Sequence, residues 1–383
     1  MYFCQKIDIM ISRDVFTLLN NDLHKQKALI LLGARQVGKT TLLQMLSKEW
    51  ENVLWLTGDE IETQRLFENM NITRLAAEFA GIKYLIIDEA QRLHNVGLGL
   101  KLITDHLKHI QLIVTGSSAF ELSNRLNESL LGRTFEYKLY PFSFAEMAKF
   151  NTLREEKRLL HFRLVYGYYP DVVMHPEDAK KILYNLTQNF LYKDILLLNG
   201  VKKPDKIVKL LQALAFQVGN QVSYNELSKL VGMNSITVEK YITLLEQTFV
   251  LFRLGSFSRN LRSELSKSRK IYFYDNGIRN ALIGNFTAVE MRTDVGALWE
   301  NFLISERIKL LNNTEQWAHS YFWRTTEQQE VDYIEEQNEI LQAFEFKWNA
   351  ASKAKINKTF TKNYPHAETN IISPDNYEQF VMN

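Results

Sequence analysis

Four aliphatic residues, Leu29-Ile30-Leu31-Leu32, run straight into Gly33-Ala34-Arg35-Gln36-Val37-Gly38-Lys39-Thr40-Thr41, and Leu42, Leu43 and Leu46 come next at helical spacing. No other stretch constrains the fold as strongly. A short all-aliphatic run bounded by glycine reads as a strand buried on both faces, as in a parallel sheet. The glycine-bounded loop is GxxxxGK[ST] with a strand before it and a helix after it. The glycines let backbone N–H groups converge on phosphates, and the helix N-terminus adds a favourable dipole. Lys39 is expected to reach the β- and γ-phosphates of a nucleoside triphosphate, and the Thr40 hydroxyl to ligate Mg²⁺. Every residue from Gly33 to Thr41 is therefore a candidate nucleotide contact.

Further apolar runs alternate with helical patterns: Val53–Leu56, Tyr84–Ile87, Leu112–Val114 and Phe135–Leu139. Such alternation predicts an α/β domain, a parallel sheet covered by helices. Tyr84–Ile87 ends in Asp88-Glu89, about fifty residues after the glycine loop. Asp88 would hold Mg²⁺ through its water shell, and Glu89 would take the proton from an attacking water. The run at Leu112 leads into Thr115-Gly116-Ser117-Ser118. Ser117 is the candidate for sensing the γ-phosphate or holding the water. The expected ligand is ATP with Mg²⁺, and the expected reaction is hydrolysis.

At 383 residues the chain is too long for one compact core, which predicts several domains. A net charge of +2 leaves nucleic-acid contact to a local patch. Cys4 is the one cysteine, so an intramolecular disulfide is excluded. Asp8, Arg13, Asp14 and Asp22 interrupt any signal-peptide pattern. No apolar run approaches the roughly 20 residues of a membrane span. The reading is a cytoplasmic protein without membrane contact.

Beyond Phe142 the period is helical, as in Lys206–Phe216, where Ile207, Leu210, Leu211, Leu214 and Ala215 share a stripe. Ser223-Tyr224-Asn225-Glu226 is a capping box before an apolar helix. Gly232-Met233-Asn234 makes a turn, and Ser235 is the expected cap of a second helix. Val250–Leu254 and Ile271–Tyr274 read as a hairpin, so the whole predicts a winged helix. Arg259, Arg262, Lys267, Arg269 and Lys270 lie around the hairpin's turn against the single acid Glu264, a basic wing suited to DNA phosphates. Farther on, a helix opens at Trp299-Glu300. Strands come after it at Tyr321–Arg324, Glu330–Ile334 and Ile340–Lys347. Positions two apart on a strand share a face, so Glu345 and Lys347 point the same way. Asp332 and Glu345 would hold Mg²⁺, Lys347 would activate a water for attack on a phosphodiester, and Glu300 would approach from the helix.

GARQVGKTT, LIIDEAQ, LIVTGSSA and LLGRTFEYKLYPFSFAEM together resemble the AAA+-related ATPases of bacteria and archaea that carry a C-terminal domain of unknown function. The resemblance implies strand order 5-1-4-3-2. It also implies that Arg133, just before the fifth strand, enters a neighbouring copy's site as an arginine finger, which calls for a homo-oligomer. The C-terminal constellation resembles the PD-(D/E)xK nuclease core, a restriction-endonuclease-like α/β fold. The expected organisation is a P-loop ATPase domain over 1–145, a helical lid over 146–218, a winged helix over 219–285 and the nuclease-like domain over 286–383. Two functions compete: an ATPase coupled to nucleic acid, and an ATP-dependent signalling or scaffold switch with protein partners and an inert C-terminal fold.

Overall fold

The computed structural model describes residues 10–117, 130–191, 203–259, 269–349 and 355–383. The aliphatic run forms β1 (Ala28–Leu32), in which no residue is more than 2% exposed. Complete burial of one leucine or isoleucine contributes about 1.5–3 kcal/mol, so this strand anchors the sheet. β2 (Val53–Thr57), β3 (Tyr84–Asp88), β4 (Gln111–Gly116) and β5 (Thr134–Lys138) complete it. Every pairing is parallel and the order is β2-β3-β4-β1-β5, which is the order 5-1-4-3-2. β4 lies between β1 and β3, with Leu32 opposite Gly116 and Ile87 opposite Val114. The C-terminal ends of these three strands therefore share one edge of the sheet. Gly33–Thr41, Asp88-Glu89 and Ser117 all leave from that edge, where open α/β sheets bind ligands.

After β5 the chain turns at Ser143. Its hydroxyl accepts from Glu146 N, and the Glu146 carboxylate accepts from Ser143 N, a capping box that opens the helix Phe144–Asn151. Short helices come next, and Pro204–Phe216 buries the stripe Ile207, Leu210, Leu211, Leu214 and Ala215 completely. β6 (Gln221–Val222) precedes the helix Tyr224–Val231, capped by Ser223 and ended by Gly232 at φ 64. The second helix, Ser235–Gln247, begins one residue sooner than expected. Its cap is Asn234, whose Oδ1 accepts from Thr237 N at 2.7 Å, not Ser235. Asparagine caps at least as well as serine, which decides the register.

β7 (Leu251–Ser256) and β8 (Arg269–Phe273) form the hairpin, and β6 pairs with β8. β9 (His319–Arg324), β10 (Glu330–Gln337), β11 (Ile340–Phe346) and β12 (Glu368–Ile372) complete the strands. β7 also pairs in parallel with β9, so one sheet of order β12-β11-β10-β9-β7-β8-β6 runs across residue 286. The long helix Val295–Asn313 lies against it, with Trp299, Asn301, Phe302, Ile304, Glu306, Arg307 and Lys309 all buried. A helix buried around its whole circumference is a wedge between packed layers. Arg307 fixes it to β10 through a two-point pair with Glu335, at 2.8 and 2.9 Å. The main apolar core extends from Ile11 to Val381, and a second cluster gathers Phe257, Trp323, Val331, Ile334, Leu341, Ala343 and Phe360. Among the described residues no helix is long and apolar enough to cross a membrane.

Candidate nucleotide-binding site

A cavity of about 680 Å³ opens over the glycine loop. Arg35, Gln36, Val37, Gly38, Lys39, Thr40 and Thr41 line it, together with Glu89, Phe142 and the segment Pro170–His175. Gly33 lies where β1 enters the loop. A Cβ there would sit 2.2 Å from the Leu139 carbonyl oxygen, so only glycine lets the chain pass. Gly38 has φ 92 at the helix N-terminus, a left-handed turn that glycine adopts without strain. Lys39 is buried and its ammonium donates to the carbonyls of Gly33 and Ala34, both at 2.9 Å. The cation is thus held across the mouth of the loop.

Thr40 Oγ1 donates to Asp88 Oδ2 at 2.7 Å. The other Asp88 oxygen accepts from the Thr115 hydroxyl and from Glu89 N. A hydroxyl and an oriented carboxylate side by side are the oxygen donors that Mg²⁺ selects, so Thr40 and Asp88 fit that ion beside the phosphates. Glu89 has φ 51, a left-handed conformation uncommon for a glutamate, at the turn that ends β3. Its carboxylate accepts from Gln91 Nε2 at 2.6 Å and lies 3.4 Å from Ser117 Oγ. Lys39, Thr40, Asp88, Glu89 and Ser117 are therefore brought to one edge.

Arg133 is elsewhere. Ala28 N donates to its carbonyl, which places it at the N-terminal end of the sheet, opposite the glycine loop. Its guanidinium pairs with Asp105 at 2.6 Å and holds the Asp105 carboxyl below its usual range. Two residues that the sequence pattern does not single out matter here. Arg13, 6% exposed, donates to the loop carbonyl of Val37 at 3.0 Å, to Tyr140 O at 2.7 Å and to Glu146 at 3.0 Å. Its guanidinium also stacks 4.5 Å from the Phe142 ring. Gln91 joins Glu89 to Ser117. No local pattern announces Arg13, because its partners come from other elements, whereas Gln91 closes LIIDEAQ two residues after its partner Glu89 and only its bond to Ser117 is long-range.

The C-terminal constellation also assembles. Asp332 and Glu345 stand one step beyond the cross-strand pair Tyr333↔Phe344. Asp332 accepts from Phe346 N at 2.7 Å, and Lys347 donates to Glu345 at 2.7 Å. Glu300 accepts from Tyr272 at 2.5 Å and from Lys270 at 2.9 Å. Lys270, which the basic-wing pattern puts at the surface, is instead buried between Glu300 and Glu330, because β8 is covered on both faces. Arg262 and Lys267 of that wing, and Glu264, lie outside the described residues. Among the described residues no three His, Cys, Asp or Glu side chains close around a point where a metal ion would sit.

Four carboxylates, Glu300, Glu330, Asp332 and Glu345, thus face three cations, Lys270, Arg324 and Lys347. Asp332 is the surplus acid. Burial first, then Glu300 and Glu345, push its carboxyl well above the usual aspartate range, against the pull of Lys270. A folded-state value above the unfolded one means stability present in acid and lost as pH rises from about 3.8 upward. Asp332→Asn keeps the acceptor for Phe346 N and removes the surplus charge. It is expected to raise the thermal midpoint by about 1–3 °C near neutral pH, with the gain vanishing in acid. A midpoint lowered at neutral pH in scanning calorimetry would contradict the assignment.

Comparison with known proteins agrees with this geometry. Residues 25–148 match a family described as AAA domain. Residues 157–288 and 295–381 match two families described as domains of unknown function, DUF8612 and DUF4143. An uncharacterized protein of Haemophilus influenzae is 28% identical over 279 residues, 67% of this chain and 69% of its own length. Another, Rv2008c of Mycobacterium tuberculosis, is 26% identical over 329 residues, 84% of this chain and 71% of its own. Among solved structures, the Walker-type ATPase of Pyrococcus abyssi superposes with a TM-score of 0.51 at 16% identity, over 71% of this chain and 96% of that one, which shows a shared fold. The chain thus combines an AAA domain around the glycine loop with a DUF4143 domain after it, and its relatives include uncharacterized bacterial and archaeal proteins.

Proposed function

We propose that the protein binds ATP with Mg²⁺ and hydrolyses it to ADP and phosphate. The observation that carries this reading is the Glu89 carboxylate, which lines the same cavity as Lys39 and Thr40 while Asp88 stands bonded to Thr40. Lys39 binds the β- and γ-phosphates. Thr40 and Asp88 would hold Mg²⁺, which would supply charge neutralisation at the phosphate oxygens. Glu89 accepts the proton of the water that attacks the γ-phosphorus. The test is phosphate release from ATP by the wild type and by Lys39→Ala. Equal rates in the two would refute it.

The partner we propose is nucleic acid, met from the cytoplasm and reached through the hairpin end. Support comes from Arg259, 66% exposed there, with Arg262 and Lys267 next in sequence. A second reading, a protein-binding switch, is favoured by Leu230 and Ile236. These apolar residues are 65% and 79% exposed around the helix–turn–helix, where a groove-reading helix presents polar groups. In either reading Arg133 acts on a neighbouring copy, since its own glycine loop is at the far end of the sheet. We assign the C-terminal acidic cluster a structural role, because Lys270, Arg324 and Lys347 already pair with Glu300, Glu330 and Glu345, and burial raises the carboxyl of the surplus Asp332.

One experiment separates these readings: ATPase rate against protein concentration, with and without duplex DNA, at rising salt. Nucleic-acid coupling predicts stimulation that falls steeply with salt, with a slope of about 0.9 per phosphate contact. A trans-acting Arg133 predicts specific activity that rises with concentration. Flat responses to both would exclude both proposals, and Mg²⁺-dependent cleavage of that DNA, lost in Asp332→Ala, would overturn the structural role of the cluster.

A further inference from the structure

Gln91 is 6% exposed and lies in the tight turn Ala90–Arg92 just after Glu89. Its side-chain nitrogen donates to Glu89 Oε2 at 2.6 Å and to Ser117 Oγ at 2.8 Å. An amide NH₂ carries two hydrogens, so both bonds are made at once. The Ser117 hydroxyl accepts from Gln91 and has one hydrogen of its own to place. The carboxylate oxygen nearest to it is Glu89 Oε2, at 3.4 Å, a long contact. A phosphate oxygen in ordinary hydrogen-bond range is the better acceptor for that hydrogen. Ser117 follows the end of β4 and Glu89 follows the end of β3, and the Gln91 side chain bridges these two positions.

We propose that Gln91 is a positioning residue that couples the γ-phosphate to the proton acceptor. When Ser117 turns its hydroxyl to the γ-phosphate, the Gln91 amide moves with it and carries the Glu89 carboxylate into line with the attacking water. The proposal rests on Glu89 as proton acceptor and on Ser117 as the residue facing the γ-phosphate. Its consequence differs from that of a packing role. A residue that only fills space changes the unfolding midpoint, whereas this one changes turnover in a folded protein that still binds ATP.

The test compares Gln91→Met, which keeps length and volume but donates nothing, with Ser117→Ala, the double variant and Glu89→Gln. The readouts are kcat, ATP affinity and the thermal midpoint. Gln91→Met is expected to lower kcat about 10–100-fold, the scale of an ångström's misplacement, with affinity within about threefold of wild type. The double variant should cost no more than the larger single change, since both break one link. If methionine lowers the midpoint, Gln91→Glu, which keeps the shape and cannot donate when ionised, must show the same loss of kcat. Turnover by Gln91→Met within about twofold of wild type, or losses that multiply in the double variant, overturn the inference while an inactive Glu89→Gln leaves the base assignment standing. Wild-type turnover by Glu89→Gln removes the base assignment and this inference with it.

Discussion

Replacing Glu89 with glutamine is expected to stop ATP turnover while leaving ATP bound. Glu89 lines the cavity, and in the proposed reading the loop amides and Lys39, not its carboxylate, hold the phosphates. Glutamine keeps the shape and can still meet the Gln91 amide, so the turn at φ 51 is retained. What it lacks is the capacity to take a proton, and general-base catalysis contributes about 10²–10⁴-fold. Lys39→Ala should give the opposite division. It removes the cation that spans the Gly33 and Ala34 carbonyls, and a charge-assisted bond contributes about 1.5–3 kcal/mol, so affinity should fall roughly 10–100-fold before any effect on chemistry is read. Calorimetric titration with ATP and steady-state phosphate release separate the two cases. If Glu89→Gln turns over at the wild-type rate, another group is the base. If Lys39→Ala binds ATP as tightly as wild type, the phosphates do not lie in this loop.

The candidate nucleotide site is legible because its signals are contiguous. The strand before the loop, the lysine at the helix start and the carboxylates at the end of β3 each obey a local rule, and the parallel sheet only brings them to one edge. The strand order follows from the resemblance; periodicity alone does not say which strand β4 inserts beside. Arg13 was illegible for a different reason. It joins Val37, Tyr140 and Glu146, and the last of these is 133 residues away in sequence, so nothing near Arg13 hints at a partner. The basic-wing pattern misplaces Lys270 because the number of basic residues around a turn does not say which way each one faces. The parallel pairing of β7 with β9 rests on Gly255↔Tyr321 and Ser256↔Phe322, and such long-range registration leaves no trace in a local pattern. Spacing points to the C-terminal charges but does not reveal that a buried lysine of the hairpin, Lys270, pairs with Glu300 and Glu330.

Lys309→Met is expected to destabilise the fold by about 3–5 kcal/mol, the usual cost of breaking a buried ion pair from one side. Lys309 is 1% exposed and donates to Glu306 at 2.7 Å and to the carbonyl of Phe142 at 3.1 Å. Glu306 in turn accepts from Phe144 N at 2.6 Å. Burial already pushes the carboxyls of Glu306 and Asp275 upward, and Lys309 is the cation that restrains both. Without it each needs a proton to stay buried. Groups with raised folded-state values contribute stability in acid and lose it as pH rises, and methionine widens that window. The deficit should therefore be small at about pH 4, near the ordinary values of 3.8 and 4.5, and large near neutrality. Glu306→Gln in the same chain should recover part of it, because an amide needs no counter-ion. The effect should also reach the nucleotide. Phe142 lines the cavity and stacks on Arg13, which holds the Val37 carbonyl of the loop, so the long helix and the glycine loop grip one short segment from opposite sides. ATP should then raise the midpoint of Lys309→Met by less than it raises that of wild type. A variant as stable as wild type near neutrality, or equally unstable at both pH values, would show that Lys309 does not neutralise this interface.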